Sequence, residues 1–250
     1  MQRPVPALQN SLLEALPSAD LGLFAFNLVQ VELERGRLLY DPGDPIDHVY
    51  FPHDGVISLM TLMENGAAIE STTIGPEGAL GLMAAVAPRL SLSRAIVQTP
   101  LRAARISAER LHEAWDKSPA LRDLVDRHTE ALYGHAIQSV ACNALHSVEE
   151  RFCRWLLTCH DRISSDTVAL TQEFLADMLG VQRTTVTAVA RSLQEKGMIR
   201  YRRGVVDIVD RGALLGLTCE CYGVIRGHYH RLLGSAARKD ERAPRFAASP

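Results

Sequence analysis

Residues 170–210, LTQEFLADMLGVQRTTVTAVARSLQEKGMIRYRRGVVDIVD, leave few folds open. Thr171 can cap a helix, because its side-chain oxygen accepts from an orphan backbone N–H in the first turn. Phe174, Leu175, Met178 and Leu179 then recur at helical spacing on one face. Gly180 can enter the left-handed conformation that ends a helix without Cβ strain. Beyond that turn, Val186, Val189, Ala190 and Leu193 supply the buried stripe of a second helix, which Gly197 closes. Gln182, Arg183, Thr184, Thr187, Ala188 and Arg191 are left facing outward. A second helix with guanidiniums and hydroxyls on its outer face has the geometry that enters a DNA major groove. Ile199 and Tyr201 then alternate with Arg200 and Arg202, Arg203-Gly204 turns the chain, and Val205, Val206, Ile208 and Val209 return. This predicts a two-stranded wing.

Charge points the same way. Between Val181 and Gly204 the cations Arg183, Arg191, Lys196, Arg200, Arg202 and Arg203 face only Glu195, a local excess of five in a chain whose net charge is −2. Positive charge confined to one segment is the footprint of a phosphate-contacting surface. The chain's pI near 6.5 excludes a broadly basic coat. No 18-residue apolar run occurs and the N-terminus MQRPVPALQN lacks a secretory pattern, so the expectation is a cytoplasmic protein with no membrane partner.

Upstream the texture is different. Short β-prone runs at 28–33, 49–51, 56–61, 68–73, 95–98 and 103–106 are punctuated by Gly36, Gly43, Gly55, Gly66, Gly75 and Gly78. Many short strands with regular turn glycines imply an antiparallel roll or jelly-roll. The expected fold class is α+β: a β-roll sensory domain, a long connecting dimerisation helix, and a C-terminal winged helix-turn-helix. The expected boundaries are a helical lead-in at 1–25 (Leu12, Leu13, Leu16, Leu21 and Leu23 packing inward), the roll at 26–117, and the long helix at 118–146. The winged unit follows at 147–212, then a C-terminal helix over 214–233 and a disordered tail from Ala236.

Ser118-Pro119 starts the long helix, with proline where its missing N–H matters least. Val125, His128, Leu132, His135, Ser139 and Cys142 fall on a three-four spacing along it, which suits either a dimer contact or packing against the roll. In the next helix Phe152, Trp155 and Leu156 face inward.

Other chemistries find little support. The five cysteines are Cys142, Cys153, Cys159, Cys219 and Cys221, an odd count that argues for reduced thiols. Cys219 and Cys221, with His228 and His230, suggest a metal. On a continuous helix, however, residues two apart point about 200° away from each other, so neither pair chelates one ion and no metal is expected. Cys159-His160-Asp161 and His53-Asp54 hold catalytic residue types, but adjacent residues on a helix diverge and no Walker, G-x-S-x-G or H-E-x-x-H motif occurs. The expectation is a non-enzyme. The competing reading is a small-molecule binding module whose winged helix contacts protein.

Roll, long helix and winged helix in this order resemble the Crp/Fnr family of bacterial transcription regulators, over roughly residues 20 to 212. The likeness rests on Leu170-Thr171 through Gly180, and on Arg183-Thr184-Thr185-Val186, where the family carries Arg-Glu-Thr-Val. In the roll it rests on Leu38-Leu39-Tyr40-Asp41-Pro42-Gly43-Asp44, Val49-Tyr50-Phe51, Gly55-Val56 and Gly78-Ala79-Leu80-Gly81-Leu82. The resemblance implies a homodimer on double-stranded DNA, with Arg183 forking onto a guanine edge. It puts Thr184, Thr187 and Ala188 at the bases and Thr171, Gln182, Thr185, Arg191, Arg202 and Arg203 at the backbone. RNA polymerase and a small-molecule effector are implied partners.

Two departures stand out. Where cyclic-nucleotide binders carry a glutamate for the ribose, this chain has Ala79; the nearest counterpart of the phosphate-binding arginine is Ser93-Arg94-Ala95. The effector pocket would lie at Gly78, Ala79, Leu80, Ser93 and Arg94, with cyclic-nucleotide binding disfavoured. Oxygen-sensing relatives carry N-terminal cysteines that are missing here, and His48 and His53 have no spacing that marks them as haem ligands.

Overall fold

A computed structural model describes residues 9–202 and 204–234. Arg203 and the tail from Ala236 therefore lie outside the described residues. The first elements among the described residues are α1 (Ser11–Ala15) and α2 (Ser18–Gly22). Asn10 caps α1 by accepting from the Leu12 and Leu13 amides, and its own amide donates to Pro52 O and Gly78 O at 2.8 and 2.9 Å. The cap thus fastens the lead-in to the roll, and Leu12, Leu13 and Leu16 are buried there. Leu23, expected to pack inward, is 45% exposed, because the chain turns into a short 3-10 segment that buries Phe24 in its place.

The roll has two antiparallel sheets among the described residues. Strands β1 (Val29–Leu33), β3 (His48–Asp54) and β7 (Leu101–Ser107) form one, in the order β1-β7-β3. Strands β2 (Leu38–Tyr40), β4 (Ile57–Leu62), β5 (Ala68–Ile74) and β6 (Arg94–Val97) form the other, in the order β2-β6-β4-β5. Glycine punctuation predicted all but β2, whose three residues are too few to show alternation. Tyr40, Ile57, Ile74, Val97, Leu101 and Ala103 fill the space between the sheets.

Helix α3 (Ala108–Lys117) is capped by Ser107, and α4 (Pro119–Leu145) by Ser118 with proline in its first turn. At 1.5 Å per residue α4 is about 40 Å long. Its three-four seam is used inside the protomer: Val125, His128, His135, Ser139 and Cys142 are buried against the roll and the last helix. The Ala79 amide lies 3.2 Å from His128 Nε2 as its donor, which fixes α4 to the roll.

Helix α5 (Val148–His160) opens with a Ser147/Glu150 capping box and buries Phe152, Trp155 and Leu156. The winged unit follows with β8 (Thr167–Ala169), α6 (Gln172–Leu179), α7 (Arg183–Glu195), β9 (Ile199–Arg202) and β10 (Val205–Ile208). Its sheet has three strands, in the order β8-β10-β9, where two were expected. The extra strand is a three-residue edge that pairing with β10 organises and local sequence does not.

The single C-terminal helix expected over 214–233 is two: α8 (Arg211–Leu217) and α9 (Cys221–Leu233). Thr218 leaves α8 in extended conformation (φ −75°, ψ 153°), so α9 can fold back along α4. The two helices approach closely at Gly134, where a Cβ would lie 2.7 Å from His228 Nδ1. Gly134 is therefore a contact point in an unbroken helix.

Gly134→Val should lower stability by about 1–3 kcal/mol by overpacking this contact. Gly216→Ala, at a helical position with open space around the added methyl, should raise it by up to about 1 kcal/mol through helix propensity. Urea midpoints of the two variants check both signs.

Candidate nucleic-acid interface

Thr171 caps α6 by accepting from the Phe174 amide at 3.3 Å, and Gly180 ends it at φ 60°, ψ 40°. Leu175, Ala176, Met178 and Leu179 face the core, and Val186, Ala190 and Leu193 of α7 meet them there. Burying that stripe turns Arg183, Thr184, Thr187, Ala188 and Arg191 to solvent, with Thr185 half-buried in the first turn. Gln182, at the N-cap of α7, makes no side-chain cap hydrogen bond. Its amide and the first N–H groups of the helix are thereby available to an anion, which a helix N-terminus favours.

Several of these polar groups have partners within the protomer. Arg191 Nε meets Glu195 Oε1 at 2.8 Å, Arg202 Nη2 meets Asp207 Oδ2 at 2.6 Å, and Lys196 Nζ meets Glu149 Oε1 at 2.8 Å. Glu149 and Asp207 stand outside the window over which the charge excess was counted, so folding trims that excess. These exposed pairs are weak, of order 0–1 kcal/mol, and phosphate can displace them. Thr187 Oγ1 lies 2.9 Å from Arg183 O and 3.0 Å from Gln172 Oε1, so its hydroxyl hydrogen turns back onto the protein. No ion pair engages Arg183 or Arg200 among the described residues.

The residues expected to outline an effector pocket in the roll are engaged by other protein groups. Arg94 forms a two-pronged ion pair with Asp41, Nε to Oδ1 at 2.6 Å and Nη2 to Oδ2 at 3.0 Å, which holds the Asp41 carboxyl below its usual range. Ser93 is half-buried nearby, and Ser91 Oγ donates to its carbonyl. Gly78, Ala79 and Leu80 are buried beneath α4, and the Ala79 amide is already given to His128. Arg94 and the Gly78–Leu80 backbone therefore face protein partners in this conformation. Cys159-His160-Asp161 is likewise structural: His160 Nε2 meets Asp166 at 2.7 Å and Asp161 meets Arg211 at 2.6 Å, while Cys159 is buried.

The roll and the winged unit share a polar joint that the sequence does not announce. Arg162, after α5, is buried with Nη2 2.5 Å from Glu77 Oε1, and its Nη1 donates to Thr73 Oγ1. Its aliphatic stem lies over Gly75, where a Cβ would fall 2.4 Å from Cδ. Beside this joint Ser58 Oγ lies 2.5 Å from Glu70 Oε2 and 2.6 Å from Gln98 Oε1. A hydroxyl has one proton, so the second contact takes a proton from Glu70 or a flipped Gln98 amide. Burial pushes the Glu70 carboxyl up to about 7, against the lowering effects of Ser58 and the charge of Arg154.

A family model of the Crp-like helix-turn-helix domain matches residues 150–217, and one of the cyclic nucleotide-binding domain matches residues 30–118. Together they take in well over half of the chain. The chain belongs to the Crp/Fnr family of transcription regulators. It is 25% identical over 194 residues to the global nitrogen regulator of a Nostoc species, covering 74% of this chain and 86% of that one. It is 24% identical over 201 residues to the CRP-like cAMP-activated global transcriptional regulator of Mycobacterium tuberculosis, covering 78% and 89%. In fold it matches FixK2 from Bradyrhizobium japonicum with a TM-score of 0.65 at 17% identity, covering 77% of this chain and 98% of that one. This Crp/Fnr protein is thus a DNA-binding transcription regulator with a cyclic-nucleotide-binding type of roll, in a family of regulators and not of enzymes. Among its described residues no helix is long and apolar enough to cross a membrane.

The raised Glu70 carboxyl has a testable sign. Between about pH 4.5 and 7 the folded protein holds a proton that the unfolded chain releases, so stability should fall as pH rises through that window and level off above it. Glu70→Gln should remove this slope and raise the melting temperature at pH 8, since ionising the buried carboxyl costs on the order of 3 kcal/mol. Thermal melts of both proteins from pH 4.5 to 8 read the difference.

Proposed function

We propose that the protein acts in the cytoplasm as a homodimer that places two copies of α7 in successive major grooves of an inverted-repeat operator. The observation that carries this reading is the outward face of α7, where Arg183 projects, without an ion-pair partner among the described residues, beside Thr184, Thr187 and Ala188. Arg183 donates both arms of its guanidinium to O6 and N7 of a guanine. Thr184, Thr187 and Ala188 meet neighbouring base edges, and Thr187 first rotates its hydroxyl away from Gln172. Gln182 and the start of α7 hold a phosphate, joined by Thr171, Thr185, Arg191, Arg202 and Arg203. Arg191 and Arg202 exchange Glu195 and Asp207 for DNA oxygens.

The dimer contact lies on the outer face of α4. Tyr133, Ile137 and Val140 are 68%, 53% and 72% exposed, and with Ala144 they repeat at four-three-four spacing. That spacing is a coiled-coil seam, and covering it against a second copy removes an apolar stripe from water.

The effector is not recognised as a cyclic nucleotide is in the family. Ala79 offers no acceptor for a ribose hydroxyl, and Arg94 is committed to Asp41. Where the regulator meets RNA polymerase, the contact follows from its position on the promoter and not from a surface distinguished by chemistry here.

Arg183→Ala should weaken binding to the selected operator by about 1–3 kcal/mol and relax preference at one base pair, with dimerisation intact. Gel-shift titrations on the operator and its single-base variants measure this; unchanged affinity removes Arg183 from the interface. Ile137→Asp combined with Val140→Asp should yield a folded monomer by analytical ultracentrifugation and abolish tight operator binding. If no duplex is bound at low salt, the winged helix is a protein-contact module instead.

A further inference from the structure

Four potential metal ligands converge where α4 ends and α8 gives way to α9. Cys142 and His146 are one helical turn apart, so both face the same side at the C-terminus of α4. Cys219 stands outside any helix and Cys221 is the first residue of α9. The break at Thr218 therefore overturns the premise that these two thiols point apart on one helix. It also separates them from His228 and His230, which lie farther along α9. The three sulfurs and one ring nitrogen of Cys142, His146, Cys219 and Cys221 all lie within 4.8 Å of one another. Cys142 Sγ is 3.6 Å from Cys219 Sγ, and Cys221 Sγ is 3.5 Å from His146 Nδ1.

We propose that Cys142, His146, Cys219 and Cys221 bind a single zinc-class divalent ion in a closed tetrahedral site. A zinc ion held at about 2.3 Å by sulfur and 2.0–2.1 Å by nitrogen sets its ligand atoms roughly 3.3–3.8 Å apart. The Cys142–Cys219 and Cys221–His146 separations already fall in that range, and the widest needs to close by about one ångström. Four protein ligands leave no open position, so the site is structural.

The surroundings match what such an ion needs. His146 presents Nδ1 to the thiols while its Nε2 stands 3.1 Å from Glu220 Oε2. A carboxylate accepting from the far ring nitrogen fixes the tautomer that a metal-bound imidazole uses. Gln138 Nε2 donates to Cys221 Sγ at 3.0 Å. Three thiolates and a divalent ion sum to −1, and Arg154 lies in electrostatic reach of Cys142 and Cys219, buried with its Nε lacking a hydrogen-bond partner. The three sulfurs are buried and shielded from solvent. The site ties the long helix to the α8–α9 link, next to Ser147, where α5 and the DNA-binding unit begin. Metal binding would thus set how rigidly α7 is carried by the dimer helix.

The test uses the full-length, untagged protein purified from zinc-supplemented cells. One equivalent of zinc per chain by elemental analysis is expected, with cobalt(II) substitution giving the intense ligand-field bands of a tetrahedral thiolate site. Cys219→Ser combined with Cys221→Ser should lose the ion. Glu220→Gln, which leaves every ligand in place, should stay folded by circular dichroism and bind zinc about 10–100-fold more weakly in chelator competition. Any of four results overturns the proposal. These are folded wild-type protein that holds no zinc and takes up no cobalt, and a Cys219/Cys221 double variant that keeps its zinc. The others are a visible chromophore with acid-labile sulfide, which is an iron–sulfur cluster, and a disulfide between Cys142 and either partner in the protein as isolated.

Discussion

The structure hangs on α4, a rod whose surface is divided into three strips. One strip, through His128, accepts the Ala79 amide and seals the roll. A second strip, bare at Gly134, lets α9 lie close enough for His228 to touch the helix. The third, through Tyr133, Ile137 and Val140, is left to solvent in the protomer. A helix that buries two strips and still exposes an apolar third is under pressure to find another partner, because isolated apolar stripes of this kind mark interaction surfaces.

Signal transmission in such a molecule depends on how the DNA-binding unit is attached to that rod. Two attachments are built from costly groups. Arg162 puts a buried guanidinium between Glu77 and Thr73 of the roll, and desolvating such a pair is worthwhile only where both partners are held in register. Burial raises the pKa of the nearby Glu70 carboxyl to about 7. The thiols and imidazole gathered at the end of α4 form the other joint. Polar joints of this type are selective in a way apolar packing is not: a small displacement leaves a buried charge unpaired.

The roll keeps the outline of a nucleotide-binding domain while its polar groups answer to one another. The Arg94–Asp41 pair and the His128–Ala79 contact are made within the protein itself. The buried, partly unsatisfied polar atoms of His53, Thr72 and Gln98 mark where hydration or a ligand would be felt first.

What local sequence decides is everything a short window can specify. Thr171, Gly180 and the Val186–Ala190–Leu193 stripe make the helix-turn-helix, because caps, left-handed turns and amphipathic periods act within a few residues. The same is true of the roll's strands, where turn glycines punctuate alternating runs. Tertiary structure alone decided which seam of α4 is buried, since a three-four spacing fits any partner. It also decided that Glu149 and Asp207 temper the basic face, that β8 completes the wing, and that Leu23 is left outside. The sharpest case is Cys142, His146, Cys219 and Cys221: segments some seventy-five residues apart meet only because α9 breaks from α8 and folds back along α4. A periodic helix read through Thr218 would have pointed those sulfurs apart, and no local signal says otherwise.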